Sequence, residues 1–237
     1  MSTREEMDEF IRLLPDSTGA GLTVVTPAEI PEGQLMHISK NGKIKTFTPS
    51  VTSRTASKED RSVPRVSTAP SLLGCLAGYA AAKWDVLNNW QGNNKDFKGG
   101  WYIYNLPFEF ALKPVPKLLV DQKATDEHWL VTYSVDTRHY DPSIIGKFFY
   151  ESITSLVRSN DNPFMMCTMK IEVFPGQKVH FAKGVILTEG YWSVYGPEPT
   201  NNIANWKQAK AYVVTSIPKG DWAISKKFSA DLLSHQL

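Results

Sequence analysis

Polar and apolar residues alternate in a short stretch near the start of the chain, Met36-His37-Ile38-Ser39. Successive side chains of a β-strand point to opposite faces of a sheet, so His37 and Ser39 would share one face. An imidazole and a hydroxyl on one face offer hydrogen bonds to a small polar ligand. The stretch therefore predicts a strand that contributes to a binding site.

A second stretch repeats this layout and leads directly into an apolar helix pattern. Arg65, Ser67 and Ala69 alternate with the neighbouring residues, and Pro70-Ser71 supplies a strand stop and a helix cap. The planar guanidinium of Arg65 can bind a pyrophosphate through paired hydrogen bonds, or it can pair with a carboxylate in a purely structural role. Two such strands, the second followed by a helix, predict the floor of a small-molecule site.

Glu127 is the acidic residue best placed to act in such a site. It lies just before the apolar run Trp129–Val131, where the start of a strand can fix the direction of its side chain. The structural alternative is a solvated loop residue beside Asp126.

The order of these motifs resembles that of the ADP-ribosyltransferase superfamily, whose fold binds NAD in a cleft of a split β-sheet. The first signature of that family is a strand in which His is followed two residues later by Ser, Thr or Gly, as in His37 and Ser39. A polar loop, a strand of the form PRVxxAxS, a helix, another strand and a late Glu then follow. Here these are residues 50–62, 64–71, 72–83, 100–106 and Glu127, so the resemblance covers residues 34–155.

The resemblance implies NAD-dependent ADP-ribosyl transfer, with NAD as the substrate. In that reaction the bond between nicotinamide and ribose breaks through a cation-like sugar centre, which a nearby carboxylate stabilises. Glu127 is expected to be this catalytic carboxylate. If so, His37, Glu127 and an aromatic ring should surround one cleft, with both polar side chains on the same face of the sheet, and side chains on opposite faces would exclude this site.

The resemblance also implies which residues hold the nucleotide. His37 would donate to the adenosine-side ribose, and Tyr79 or Tyr102 would stack on nicotinamide, since stacking needs a flat apolar ring. Each of these residues has a structural alternative in the core of a sheet. The residues expected to bind NAD are His37, Ser39, Arg65, Ser67, Tyr79 and Tyr102.

The acceptor of the ADP-ribose stays open. The Glu-x-Glu pair of arginine-directed members is absent, because Asp126 and Glu127 are adjacent. A shared fold does not establish shared chemistry, so an inactive copy is an alternative. A protein acceptor is expected ahead of a nucleic acid. No metal is expected, because His128 and His139 match no metal-ligand spacing.

A non-enzymatic protein is the second hypothesis: a viral or mobile-element product that docks on a host protein or forms part of a particle. The last third is rich in aromatic residues, which are enriched in binding hot spots but are also ordinary β-sheet core. A third hypothesis is nucleic-acid binding by residues 40–65, which carry seven Lys or Arg against two acidic residues.

Composition narrows the class of protein. Of 237 residues 42% are hydrophobic and 21% are charged, which is typical of a folded domain. The net charge of +2 excludes a polycation that coats nucleic acid. The chain has no long apolar run, and its first residues are charged. We therefore expect a soluble cytoplasmic protein without membrane contact, located in the host cytoplasm if a phage encodes it.

The predicted fold is α+β, with a split, largely antiparallel sheet and few helices. We expect an N-terminal helix and lead-in over residues 1–33, an ADP-ribosyltransferase-like core over 34–158, and a β-rich extension over 159–237. The N-terminal helix is predicted at Arg4–Leu14, and the helix after the second motif at Ser71–Trp84. Further strands are predicted at 22–26, 100–106, 118–121, 129–135, 153–158, 165–173, 179–181, 191–195 and 211–216.

Overall fold

The structure is a computed structural model that describes residues 3–51, 59–78, 100–119, 122–134, 139–159, 162–182, 184–197 and 212–217. The described residues form four α-helices: α1 (Thr3–Arg12), α2 (Asp16–Gly19), α3 (Leu72–Gly78) and α4 (Gln122–Thr125). Two 3₁₀ turns lie at Pro27–Glu29 and Pro31–Gly33. The predicted continuation of α3 beyond Gly78 lies outside the described residues.

Ten strands are described, and they confirm the predicted α+β class. They are β1 (Leu22–Val25), β2 (Leu35–Ser39), β3 (Val66–Thr68), β4 (Gly100–Leu106), β5 (Ala111–Pro114), β6 (His128–Leu130), β7 (Ser143–Ser159), β8 (Asn162–Ala182), β9 (Val185–Pro197) and β10 (Tyr212–Ile217).

The strands form two sheets whose neighbouring strands run antiparallel. The four-stranded sheet has the order β1-β5-β6-β3, and the six-stranded sheet has the order β10-β9-β8-β7-β4-β2. The two sheets touch through their edge strands β3 and β2, which share the isolated bridge Met36–Ala69. The sheet is therefore split at this point.

Three groups of buried residues form the core. The first lies between α3 and the six-stranded sheet and includes Met36, Ile38 and Leu72. The second lies on the opposite face of both sheets and includes Leu35, Val66, Tyr104 and Leu130. The third lies between α1 and the four-stranded sheet and includes Met7, Leu112 and Trp129. Both faces of the sheet are thus covered near the split.

Several element predictions need correction. Of the strand predicted at 118–121, Leu118 and Leu119 are described and form no strand: they lie in and next to a turn and pack into the core. The strand in this region is β5, which pairs with β1 and β6. Residues 143–159 form one long strand, and the segments predicted at 165–173 and 179–181 belong to β8. Its register with β9 shifts between Val173 and Lys178.

The helices predicted at Arg4–Leu14 and Ser71–Trp84 are confirmed within the described residues as α1 and α3. The apolar side chains of α1 pack on the four-stranded sheet. Ser71 caps α3, because its Oγ accepts a hydrogen bond from the Gly74 amide at 3.0 Å. Cys75 packs against the first core group, and burial raises the pKa of its thiol to about 12. No helix in the described part of the chain is long and apolar enough to cross a membrane.

Gly74 allows α3 to approach the end of α4 closely. A Cβ there would overlap the Thr125 carbonyl oxygen and lie 2.9 Å from Ala69 Cβ, whereas a Cβ at Gly78 would lie 3.3 Å from a Thr125 methyl. We predict that Gly74→Ala lowers the free energy of unfolding by about 1–3 kcal/mol, the usual cost of overpacking. Gly78→Ala is the matched control and should be neutral or slightly stabilising, because Ala favours a helix. Denaturant unfolding of both variants measures this, and equal stabilities would contradict the described approach of α3.

Candidate functional site

The two edge strands separate immediately beyond their single bridge. Met36 and Ala69 exchange backbone hydrogen bonds of 2.8 and 2.9 Å. In a continuous antiparallel ladder the next hydrogen-bonded pair would be Ile38 with Ser67. That pair is not formed. Instead His37 Nδ1 lies 2.9 Å from the Ser67 carbonyl oxygen. A carbonyl only accepts, so Nδ1 carries the proton and donates it.

Because the His37 ring takes the place of the Ile38 amide at the Ser67 carbonyl oxygen, backbone groups of Ile38 are directed into the split. Because Met36 bonds to β3, the alternation of the ladder turns the N–H and C=O of Ile38 to the same side, away from β4. The described residues show no pairing of Ile38 with Ser67, where the ladder would continue. Ile38 is 3% exposed, and buried backbone groups normally have partners. The split therefore presents the backbone edge of Ile38.

His37 is packed on the face that carries the second core group. Its ring makes an edge contact with Phe47 at 4.8 Å between centroids, and Phe47 makes one with Tyr104 at 5.5 Å. Burial lowers the pKa of His37 below its ordinary value of 6.5, and the hydrogen bond to Ser67 opposes this only in part. His37 is therefore neutral at pH 7 and acts as a fixed donor across the split.

Glu127 is held at the start of β6 by aromatic and cationic neighbours. Its side chain is 13% exposed, and Oε1 accepts a 2.9 Å hydrogen bond from the indole N–H of Trp129. Arg65 Nε lies 3.9 Å from the same oxygen. The solvated-loop alternative is therefore wrong, because the carboxylate is mostly buried and directed by neighbouring side chains.

The structure places His37 and Glu127 on opposite faces of the sheet. Trp129 is directly opposite Ser67, and Glu127 shares their face, which is the face of Met36 and α3. His37 alternates with Met36 and therefore lies on the other face. The expectation that both side chains face one cleft is wrong, and the two residues cannot perform their expected roles together. Ser67 and Arg65 are predicted residues that do share a face with Glu127.

The other predicted nucleotide-binding residues occupy different environments. The Arg65 side chain is 2% exposed and lies over the Trp129 ring, so it is not presented to a pyrophosphate. Ser39 Oγ accepts a bond from the Asn41 amide in a turn. The ring of Tyr102 is covered by Gly42 on one side, and Lys147 Nζ lies 5.0 Å from its centre. Tyr79 lies outside the described residues.

Comparison with protein-family models, with curated proteins and with solved structures finds no match to this chain. Similarity to another protein therefore contributes nothing to the identification of the site, which depends on the geometry above.

A separate groove lies at the far end of the four-stranded sheet. It has a volume of about 560 Å³ and is lined by residues that include Thr23, Lys113, Gln122 and Asp126. Lys113 and Asp126 form an ion pair of 2.7 Å within it. It is shallow and open and lies outside the split. No cluster of three or more potential metal ligands occurs among the described residues.

Sequence reasoning missed Ile38, because a backbone group carries no side-chain signature. The only available signal was its position between two polar strand residues. It also missed Trp129 as a partner of Glu127, since an apolar run identifies a buried strand and not the donor at one ring edge.

The buried neutral state of His37 predicts a pH dependence of stability. The pKa of His37 is lowered in the folded state, so stability is fully present above the unfolded pKa and is lost as the pH falls towards the folded value. We predict that below about pH 6.5 the wild type loses up to about 1.4 kcal/mol per pH unit more than His37→Asn. Asn keeps a donor near the Nδ1 position but does not titrate. Denaturant unfolding between pH 7 and pH 5 measures this, and parallel profiles would show that His37 is not buried in the neutral form.

Proposed function

We propose that this protein catalyses NAD-dependent ADP-ribosyl transfer, with the nicotinamide group of NAD bound in the split between β2 and β3. The observation that carries the proposal is the edge of β2 at Ile38, which faces the split where no further β2–β3 pair continues the Met36–Ala69 bridge in the described residues. Ser67 and Glu127 lie beside it on one face.

A carboxamide is the ligand group that best complements this edge. Its N–H donates to the Ile38 carbonyl while its C=O accepts from the Ile38 amide, as a neighbouring strand would do. A carboxylate has no donor and would place a negative charge against the carbonyl oxygen. The split therefore favours nicotinamide over nicotinic acid.

Glu127 is the carboxylate on the Ser67 face beside the split. The register separates Glu127 from Ser67 by one strand and two residues, or about 8 Å between Cα atoms. In this proposal the ribose attached to nicotinamide is bound within reach of Glu127. The carboxylate then stabilises positive charge at the anomeric carbon.

The reaction balances without a further cofactor. The bond between the nicotinamide nitrogen and the anomeric carbon breaks, and its electron pair leaves with neutral nicotinamide. A nucleophilic atom of the acceptor then bonds to that carbon and releases its proton. We propose a macromolecular acceptor, with a protein preferred over a nucleic acid. His37 is reassigned from nucleotide binding to holding the split open.

The first prediction of this proposal concerns ligand selection. Nicotinamide should bind with at least about tenfold higher affinity than nicotinic acid, since a lost hydrogen bond and an unpaired carbonyl together cost about 1.5–3 kcal/mol. Isothermal calorimetry measures both affinities. Equal binding, or preference for nicotinic acid, would exclude the Ile38 backbone as the recognition element.

The second prediction concerns the carboxylate. Glu127→Gln keeps the shape of the side chain and removes its charge, so nicotinamide release should fall by about 100-fold or more while NAD binding persists. Glu109→Gln, an exposed site, is the matched control and should retain full turnover. Turnover that survives in Glu127→Gln would contradict the assignment. Absence of NAD binding by the folded wild type would instead favour the non-enzymatic docking protein.

A further inference from the structure

We propose that Arg65 and Trp129 are positioning residues that fix the Glu127 carboxylate and tie it to the segment following the polar loop. This inference rests on the proposed function for its catalytic consequence, but the positioning itself is a property of the fold. Both residues would act through Glu127, and neither is assigned a contact with NAD or the acceptor.

Trp129 supplies the direct contact. Its side chain is fully buried on β6, and its indole N–H donates to Glu127 Oε1 at 2.9 Å. The two residues are two positions apart, so the strand itself sets their separation. A rigid buried ring with one donor therefore determines where one carboxylate oxygen lies.

Arg65 acts on both members of this pair. Its guanidinium carbon lies 4.1 Å from the centre of the Trp129 ring, within the range of a cation–π interaction. Its Nε is buried, has no hydrogen-bond partner among the described residues, and lies 3.9 Å from Glu127 Oε1. An arginine with only a structural role would satisfy this donor within the fold. Here Arg65 Nε lies beside the Glu127 carboxylate, about 1 Å beyond the usual hydrogen-bonding distance.

The opposite side of the guanidinium is anchored to the backbone. Arg65 NH1 donates to the carbonyl oxygens of Asp60 at 2.9 Å and Val63 at 3.4 Å. Asp60 in turn accepts from Thr18 Oγ1 at 2.8 Å and from the Ser62 amide at 2.8 Å. The chain of contacts thus runs from α2 through Asp60 and Arg65 to Glu127. Asp60, near the end of the polar loop at residues 50–62, is thereby fixed relative to the Glu127 carboxylate.

Two variants separate positioning from packing. Trp129→Phe keeps a buried ring and removes the indole donor, and Arg65→Lys keeps the charge and removes the planar stack. Trp192→Phe is the matched control, because it removes an indole hydrogen bond to the Thr188 carbonyl, outside this cluster. Circular dichroism and thermal unfolding identify the variants that fold.

The first readout is independent of catalysis. Carbodiimide labelling followed by peptide mass spectrometry reports the reactivity of single carboxylates, and Asp126, with a side chain 50% exposed, is the adjacent internal reference. Relative to Asp126, labelling of Glu127 should rise several-fold in Trp129→Phe and Arg65→Lys and stay unchanged in Trp192→Phe. Unchanged labelling in folded Trp129→Phe and Arg65→Lys overturns the proposal, whatever their turnover.

The second readout is steady-state nicotinamide release. Both variants should lose about 10- to 100-fold in kcat, because a small displacement of a reacting group has an effect of this size, with KM for NAD changed less than about twofold. A wild type that shows the labelling pattern but no turnover would leave the positioning intact and reject the enzymatic function. A loss in KM alone would assign Arg65 and Trp129 to NAD binding and overturn the positioning role.

Discussion

The hydrogen bond from His37 to the Ser67 carbonyl oxygen determines how the two sheets meet. Without it, Ile38 and Ser67 would continue the ladder begun by Met36 and Ala69, and the two sheets would join in one continuous sheet. The imidazole takes the acceptor that the Ile38 amide would use, and a neutral ring is required because burial disfavours its charged form. The His37 side chain thus prevents the pairing of Ile38 with Ser67 and leaves an edge of β2 to which a ligand can bind.

Glu127 differs from His37 because its buried group is a charged carboxylate and not a neutral ring. A carboxylate removed from water is costly unless charges and donors compensate it, and here Arg65 and Trp129 supply both. The compensation is incomplete, because buried Arg65 Nε has no hydrogen-bond partner among the described residues. A catalytic role is one explanation for an unsatisfied buried polar group. The pairing of β2 with β3 also stops before Ile38 within the described residues. The interrupted pairing and the incompletely satisfied Arg65 donor lie near one junction of the sheet, and together they identify the candidate site.

Much of this arrangement follows from local sequence patterns, and the remainder depends on tertiary contacts. Alternation placed His37, Arg65 and Ser67 on strands, and the cap at Ser71 placed α3, because both signals act within a few residues. Alternation cannot tell which face of a strand is open, so Arg65 was assigned to a ligand although its guanidinium is covered. It also cannot relate the faces of two strands ninety residues apart, which is why His37 and Glu127 were expected together. Leu118 and Leu119 form no strand because they lie in and next to a turn, while β5, with Lys113 and Pro114, has a weak strand signal.

The central claim is that the Ile38 edge of the split receives NAD. Amide chemical-shift titration of the ¹⁵N-labelled protein with NAD tests it most directly, because it reports the backbone group itself. We expect the Ile38 and Ser67 amides to show the largest shifts, with slowed hydrogen exchange at Ile38 in the complex. Shifts confined to another surface, or none at millimolar NAD, would contradict the account.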